Sequence, residues 1–118
     1  MTADSKTKVQ TLKASSDFQR IAKQGRRYSS PAFFLQALRS DIPDSFILGL
    51  TASRKVGNAV VRNRAKRRLR EMVRISPLRA GLKGWKIVLI AKTAATSYDF
   101  AALHADFEKG LRAVGVLT

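Results

Sequence analysis

The sequence predicts an α+β fold: a small α–β sandwich whose helices pack on one face of a central, mainly antiparallel sheet. Three observations carry that expectation. Segments 32–38, 46–53 and 85–93 have strand length and are rich in aliphatic and aromatic residues. Segments 62–74 and 97–114 repeat apolar residues every three or four positions, the period of a helix. The predicted order is helix, strand, strand, helix, strand, helix over 118 residues, which suits one domain spanning 1–118.

Residues 1–11 are polar and aperiodic, and a flexible arm is expected there. Ser15 or Ser16 is placed to cap a short helix over Asp17–Gln24, with Phe18, Ile21 and Ala22 on one face and Gly25 closing it. Arg26, Arg27 and Tyr28 then read as a polar turn running to Pro31. In the strand Ala32–Leu38, alternation puts Phe33, Leu35 and Ala37 on one face and Phe34, Gln36 and Leu38 on the other. The turn Asp41-Ile-Pro-Asp-Ser45 suits a hairpin into Phe46–Ser53. There Phe46, Leu48, Leu50 and Ala52 face a core, while Ile47, Gly49, Thr51 and Ser53 make a mixed face. Gly57-Asn58 turns the chain, with Asn58 as N-cap of the helix that follows. Pro77, Gly81 and Gly84 break the chain before the third strand, Trp85–Thr93, built on the aliphatic run Ile87–Ala91. Thr96 or Ser97 is placed to cap the last helix, where Phe100, Leu103, Phe107, Leu111 and Val114 form an apolar stripe and Gly115 ends it. The central helix joins the second strand to the third, so those strands are expected to lie parallel, and the general rule makes such a crossover right-handed. The pattern leaves room for a further strand without locating it.

Composition narrows the function. There are 23 Lys and Arg against 8 Asp and Glu, a formal charge of +15, which favours a polyanionic partner over a small acidic substrate. A hydrophobic fraction of 45% is enough for a real core and argues against a disordered basic tail. No cysteine is present, which excludes disulfides and thiolate metal sites. No stretch resembles a signal peptide or membrane span, so a cytoplasmic protein without membrane contact is expected. The acids form no cluster able to hold a catalytic metal pair. The lone histidine, His104, lies beside the apolar stripe without an evident carboxylate partner, and no phosphate-cradling Gly-rich loop is present.

The charge is concentrated. Between Arg54 and Arg74 stand nine Lys or Arg and one acid, Glu71. Val61, Ala65, Leu69, Met72 and Val73 share a buried helical face, and Arg62, Lys66 and Arg70 step by four along a neighbouring stripe. Like charges at i, i+4 (Arg62/Lys66, Lys66/Arg70, Arg64/Arg68, Arg70/Arg74) disfavour an isolated helix by roughly 0.2–0.5 kcal/mol per exposed pair. An anionic polymer would relieve that repulsion. A merely solvated basic face is the bland alternative, but such faces usually mix signs.

The run Lys55-Val-Gly-Asn58-Ala-Val-Val-Arg62-Asn63-Arg64-Ala-Lys66-Arg67-Arg68-Leu-Arg70 resembles the Arg-Asn-Arg signature of the bacterial ribonuclease P protein subunit. Leu12 followed by Asp17-Phe18, the two-strand region and the Ile-Ala-Lys stretch near residue 90 fit as well, so the likeness spans nearly the whole chain. It implies an RNA-binding subunit of the tRNA-processing enzyme that cuts no bond itself. The partners would be the catalytic RNA and precursor tRNA, with no obligate protein partner. Mg²⁺ would belong to the holoenzyme and be held mainly by RNA, with none bound by the protein alone. The family's left-handed β-α-β crossover replaces the right-handed expectation.

By that resemblance Arg54, Lys55, Asn58, Arg62, Asn63, Arg64, Lys66, Arg67, Arg68 and Arg70 are candidate contacts to the catalytic RNA. Guanidinium forks suit phosphates, while Asn63 is open between RNA and the backbone of its own turn. Phe18, Ala22, Phe34, Gln36, Thr51, Lys55 and Lys92 are candidates for a cleft holding the 5′ leader. Phe34 either offers its ring for base stacking or packs against the last helix. The sequence departs from the family pattern at Ala22 and Gln36, where aromatics are frequent, and after Lys92, where a second basic residue and a proline are common. The alternatives are a ribosomal or other structural RNA-binding protein of similar fold, and a nonspecific DNA binder.

Overall fold

Alternation along the strands separates one fully buried sheet face from a mixed one. The computed structural model describes residues 8–11, 25–40 and 45–117. Five strands, β1 (Lys8–Thr11), β2 (Arg26–Ser29), β3 (Phe33–Arg39), β4 (Ser45–Ala52) and β5 (Trp85–Ala91), form one sheet in the order β1-β4-β5-β3-β2. Among the described residues two helices accompany it, α1 (Ala59–Ile75) and α2 (Phe100–Ala113). Phe33, Leu35, Ala37, Phe46, Leu48, Ile87, Leu89 and Ala91 meet Ala65, Leu69, Met72 and Val73 of α1 and Leu103, Phe107 and Leu111 of α2 in one core. Both helices thus cover the same face, as the apolar stripes require. On the other face Val88 is buried among Leu38, Ile47 and Ile90.

The expected α+β architecture is present, with a mixed sheet. β4 and β5 pair in parallel, as a strand–helix–strand crossover demands. β3 pairs antiparallel with β5, and β2 with β3. Residues 8–11, expected in a flexible arm, form a strand parallel to β4. Residues 26–29, expected as a turn, form an edge strand, and the real hairpin is β2–β3. Ser30 closes it, its Oγ accepting from the backbone N–H of Ala32 at 3.2 Å and of Phe33 at 3.1 Å. The hairpin expected between β3 and β4 does not form, because β5 lies between them. The reason is the aliphatic run: Ile87, Val88 and Leu89 are buried on both faces, which only a central strand satisfies. The turn residues 41–44 and the expected helix 17–24 lie outside the described residues.

The helix caps follow local chemistry. Asn58 is the N-cap of α1, its Oδ1 accepting from Val61 N–H at 3.0 Å, as its position predicts. The cap of α2 is Asp99, accepting from Ala102 N–H at 3.0 Å, rather than Thr96 or Ser97. A short 3₁₀ turn, Thr93–Thr96, takes up the earlier residues, and the Thr96 hydroxyl donates back to Thr93 O at 3.0 Å. Gly115 ends α2, as its position predicts, in the left-handed conformation with φ +85°.

Candidate nucleic-acid interface

Helix α1 is fixed from below by Ala65, Leu69, Met72 and Val73, which forces its remaining side chains outward. Gly57 leads into it with φ +147°, and a Cβ there would come within 3.0 Å of Val61. The basic side chains then divide among three directions. An outer stripe of Asn63, Arg64 and Arg67, with Val60, lines a shallow cavity of about 330 Å³. An inner stripe of Arg62 and Lys66, with Ala59 and Asn63, faces Thr51 and Ala52 of β4 across a cavity of about 240 Å³. Arg70, on the same stripe, is exposed, as are Arg54 and Lys55 in the 3₁₀ turn Arg54–Val56.

Arg68 points the third way. Its guanidinium donates to Ala95 O at 2.8 Å and to Tyr98 O at 2.6 Å, and lies 6.0 Å from the Phe100 ring centre. It ties α1 to the turn that precedes α2, so its fork is engaged within the protein. Turning Arg68 inward also removes it from the repulsive pair with Arg64.

The other cations keep their charge available. Among the described residues, no side chain from Arg54 to Arg70 forms an ion pair. Arg62 Nε is buried without a hydrogen-bond partner. Asn63 makes no hydrogen bond to the turn before it; that capping work belongs to Asn58. Glu71 pairs instead with Arg74, three residues on, and the hydrogen bond from that guanidinium holds the Glu71 carboxyl below its ordinary range.

The second part of the site lies on the mixed sheet face. Phe34, Ile90 and Thr51 stand in register across β3, β5 and β4. Phe34, Ser53, Lys55, Ile90, Lys92 and Thr93 line a cavity of about 390 Å³. Phe34 carries two cations: Lys92 Nζ lies 4.1 Å from its ring centre and Arg27 Cζ 4.9 Å. Lys92 is held there by donating to Ser30 O at 2.6 Å and Ser29 Oγ at 2.8 Å. Phe34 therefore does not pack against α2, which covers the opposite face. Gln36 is only 5% exposed, next in register to Arg27 and Val88, and is not accessible at the cleft surface. Thr51 opens toward Arg62 and Lys66 rather than into the Phe34 cavity. Phe18 and Ala22 lie outside the described residues.

Two residues at the site escaped the sequence reading. Val60 is 77% exposed amid the outer stripe. The spacing 60, 64, 67 was the available signal, since it places Val60 one turn before Arg64. Arg27 was hidden by its reading as a turn residue; only its pairing opposite Gln36 brings it to Phe34.

Among the described residues the site offers cations, an amide and an aromatic ring. Among the described residues no three His, Cys, Asp or Glu gather as a metal site. Each described acid is already engaged. Glu71 binds Arg74, Glu108 binds Arg112, Asp99 caps α2, and Asp106 accepts from Tyr98 Oη at 3.0 Å. That last bond holds the Tyr98 phenol above its usual range, with desolvation adding to it. His104 Nε2 is buried without a hydrogen-bond partner among the described residues. No helix among the described residues is long and apolar enough to cross a membrane.

Comparison with known proteins follows the same lines. A family model described as Ribonuclease P matches residues 7–115. The Ribonuclease P protein component of Gluconacetobacter diazotrophicus is 45% identical over 105 residues, covering 89% of this chain and 90% of that protein. That of Symbiobacterium thermophilum is 39% identical over 110 residues, covering 93% of this chain and 95% of the relative. The solved structure of the Staphylococcus aureus RNase P protein aligns with a TM-score of 0.72 at 28% identity, covering 94% of this chain and all of that one.

Proposed function

The chain belongs to the ribonuclease P protein family, and on that premise we propose that it serves as the protein subunit of ribonuclease P, binding the catalytic RNA and the 5′ leader of precursor tRNA. One observation carries this reading: a rigid helix presents cations that no acid of the described residues neutralises, beside a cavity that pairs Phe34 with Lys55 and Lys92. Arg62, Asn63, Arg64, Lys66, Arg67 and Arg70 dock on folded RNA, with phosphates taken by guanidinium forks and ammonium groups. Arg54, Lys55 and Asn58 extend that surface over the turn before α1. The leader lies along the Phe34 cavity, where Arg27 and Lys92 neutralise its backbone and Phe34 stands under a base. Thr51 lies on the Arg62 and Lys66 side of the surface, and Phe18 and Ala22, outside the described residues, are leader contacts by family resemblance alone.

Bond cleavage in this reading belongs to the RNA. The acids among the described residues are dispersed and engaged and do not gather as a Mg²⁺ site; in this reading the metal acts on the RNA side of the complex. The protein's part is to raise RNA affinity and position the leader. Family membership favours this reading over a ribosomal protein of similar fold.

The test is reconstitution with a bacterial catalytic RNA at low Mg²⁺. The chain should stimulate leader removal from precursor tRNA; no stimulation overturns the reading. Arg64→Ala and Arg67→Ala should each weaken catalytic-RNA binding and reduce the salt-dependence slope by about one. Unchanged slopes in both variants would put the docking surface elsewhere.

A further inference from the structure

A second concave site lies at the far end of the sheet from the Phe34 cavity. Arg26 of β2, Arg39 of β3 and Trp85 of β5 converge there with Val114 and Gly115 at the end of α2, around a cavity of about 370 Å³. Strand register builds it, with Arg26 opposite Ala37 and Arg39 opposite Trp85. The Arg39 guanidinium lies 5.0 Å from the Trp85 ring centre. Gly115 leaves room for Arg26, whose Nη1 sits 3.2 Å from where a Cβ would stand. β5 runs from this site to Ala91 beside the Phe34 cavity, about 20 Å at 3.3 Å per residue. The two sites are therefore separate, and neither Arg26, Arg39 nor Trp85 takes part in the surface described above.

The chemistry of the pocket is specific. Arg26 and Arg39 are exposed and make neither a hydrogen bond nor an ion pair among the described residues. No acid of the described residues lines the cavity. Two planar cations beside a half-buried indole match one nucleotide of a single strand. The base extends the Trp85–Arg39 stack, and the phosphate takes the forks of Arg26 and Arg39. An acidic peptide would use the cations but leave the stacking surface idle. A polyphosphate chain is also drawn to a protein of charge +15.

We propose that Arg26, Arg39 and Trp85 form a second contact for single-stranded RNA, distinct from the basic helix and from the leader cleft. It goes beyond the proposed subunit role: an RNA strand held here is a different segment from one lying on Phe34, or the continuation of a long one.

Trp85 is the only tryptophan in the chain, so its emission reports on this site alone. The experiment titrates the full chain carrying Arg64→Ala and Arg67→Ala, which weakens the basic helix, with a short oligoadenylate. Binding is followed in parallel by anisotropy of a labelled oligonucleotide. Saturable quenching of Trp85 is expected. Adding Arg26→Ala and Arg39→Ala should shift the midpoint about tenfold or more to weaker binding, with circular dichroism and melting unchanged. Oligonucleotide binding that leaves Trp85 emission untouched, or a midpoint indifferent to both substitutions, overturns the proposal. So does quenching by a phosphotyrosine peptide in the absence of any by the oligonucleotide, which would assign the pocket to a protein partner. Quenching here, together with failure of the unsubstituted chain to stimulate the catalytic RNA, would overturn the subunit role and leave this site standing.

Discussion

Arg64 and Arg68 sit one helical turn apart with the same side chain, yet the structure gives them unlike surroundings. Arg64 reaches solvent on the outer stripe, whereas Arg68 satisfies Ala95 O and Tyr98 O. Arg68→Ala would leave those carbonyls short of a partner, and a loss of about 1–3 kcal/mol in stability is expected from denaturant melts. Arg64→Ala should stay within about 0.5 kcal/mol in the same measurement. Lysine at position 68 should recover little, since a point charge cannot bridge two carbonyls as a planar fork does. An equal effect at both positions would refute this division. Nothing local distinguishes the two arginines in the sequence, because the carbonyls that engage Arg68 lie 27 and 30 residues further on.

At the scale of the element, α1 begins under electrostatic strain. Its first turn contains no acid, so Asn58 stands without help from a carboxylate against the exposed N–H groups. Asn58→Ala should cost about 0.5–2 kcal/mol, read from chemical denaturation, with the loss falling on the segment that carries the basic residues. Asn58 was legible in the sequence because a cap acts over three residues. The cap of α2 was less so: Thr96, Ser97 and Asp99 all have suitable side chains. The choice fell to Asp99 because the chain first completes a 3₁₀ turn, an event set by how Arg68 and α1 hold that segment. The basic stripes were readable for the same reason as Asn58, since helical period fixes which side chains are neighbours.

At the scale of the molecule, the two layers are brought unusually close at one point. Gly110 of α2 rests against β2 and β3: a Cβ there would stand 2.8 Å from Tyr28 Cδ2 and 3.1 Å from Leu35 Cδ1. Gly110→Val should push helix from sheet and lower stability by about 1–3 kcal/mol, visible as a reduced melting temperature. No change would mean that the layers slide apart freely. The same packing governs the cleft. β2 is held as an edge strand beneath α2, and that places Arg27 beside Phe34 on the other face.

What the amino-acid order settled alone was whatever depends on near neighbours. That includes the α+β class, the parallel relation of β4 and β5, the Asn58 cap, the buried side of α1 and the concentration of charge opposite it. The family likeness was readable there too, since its signature is one continuous run from Lys55 to Arg70. Only the tertiary structure decided that β5 separates β3 from β4, that residues 8–11 and 26–29 join the sheet, and which cations stay free. Those outcomes rest on contacts between residues far apart in the chain. A four-residue edge strand has too little pattern to declare itself, and an arginine's task depends on which distant oxygens the fold brings within reach.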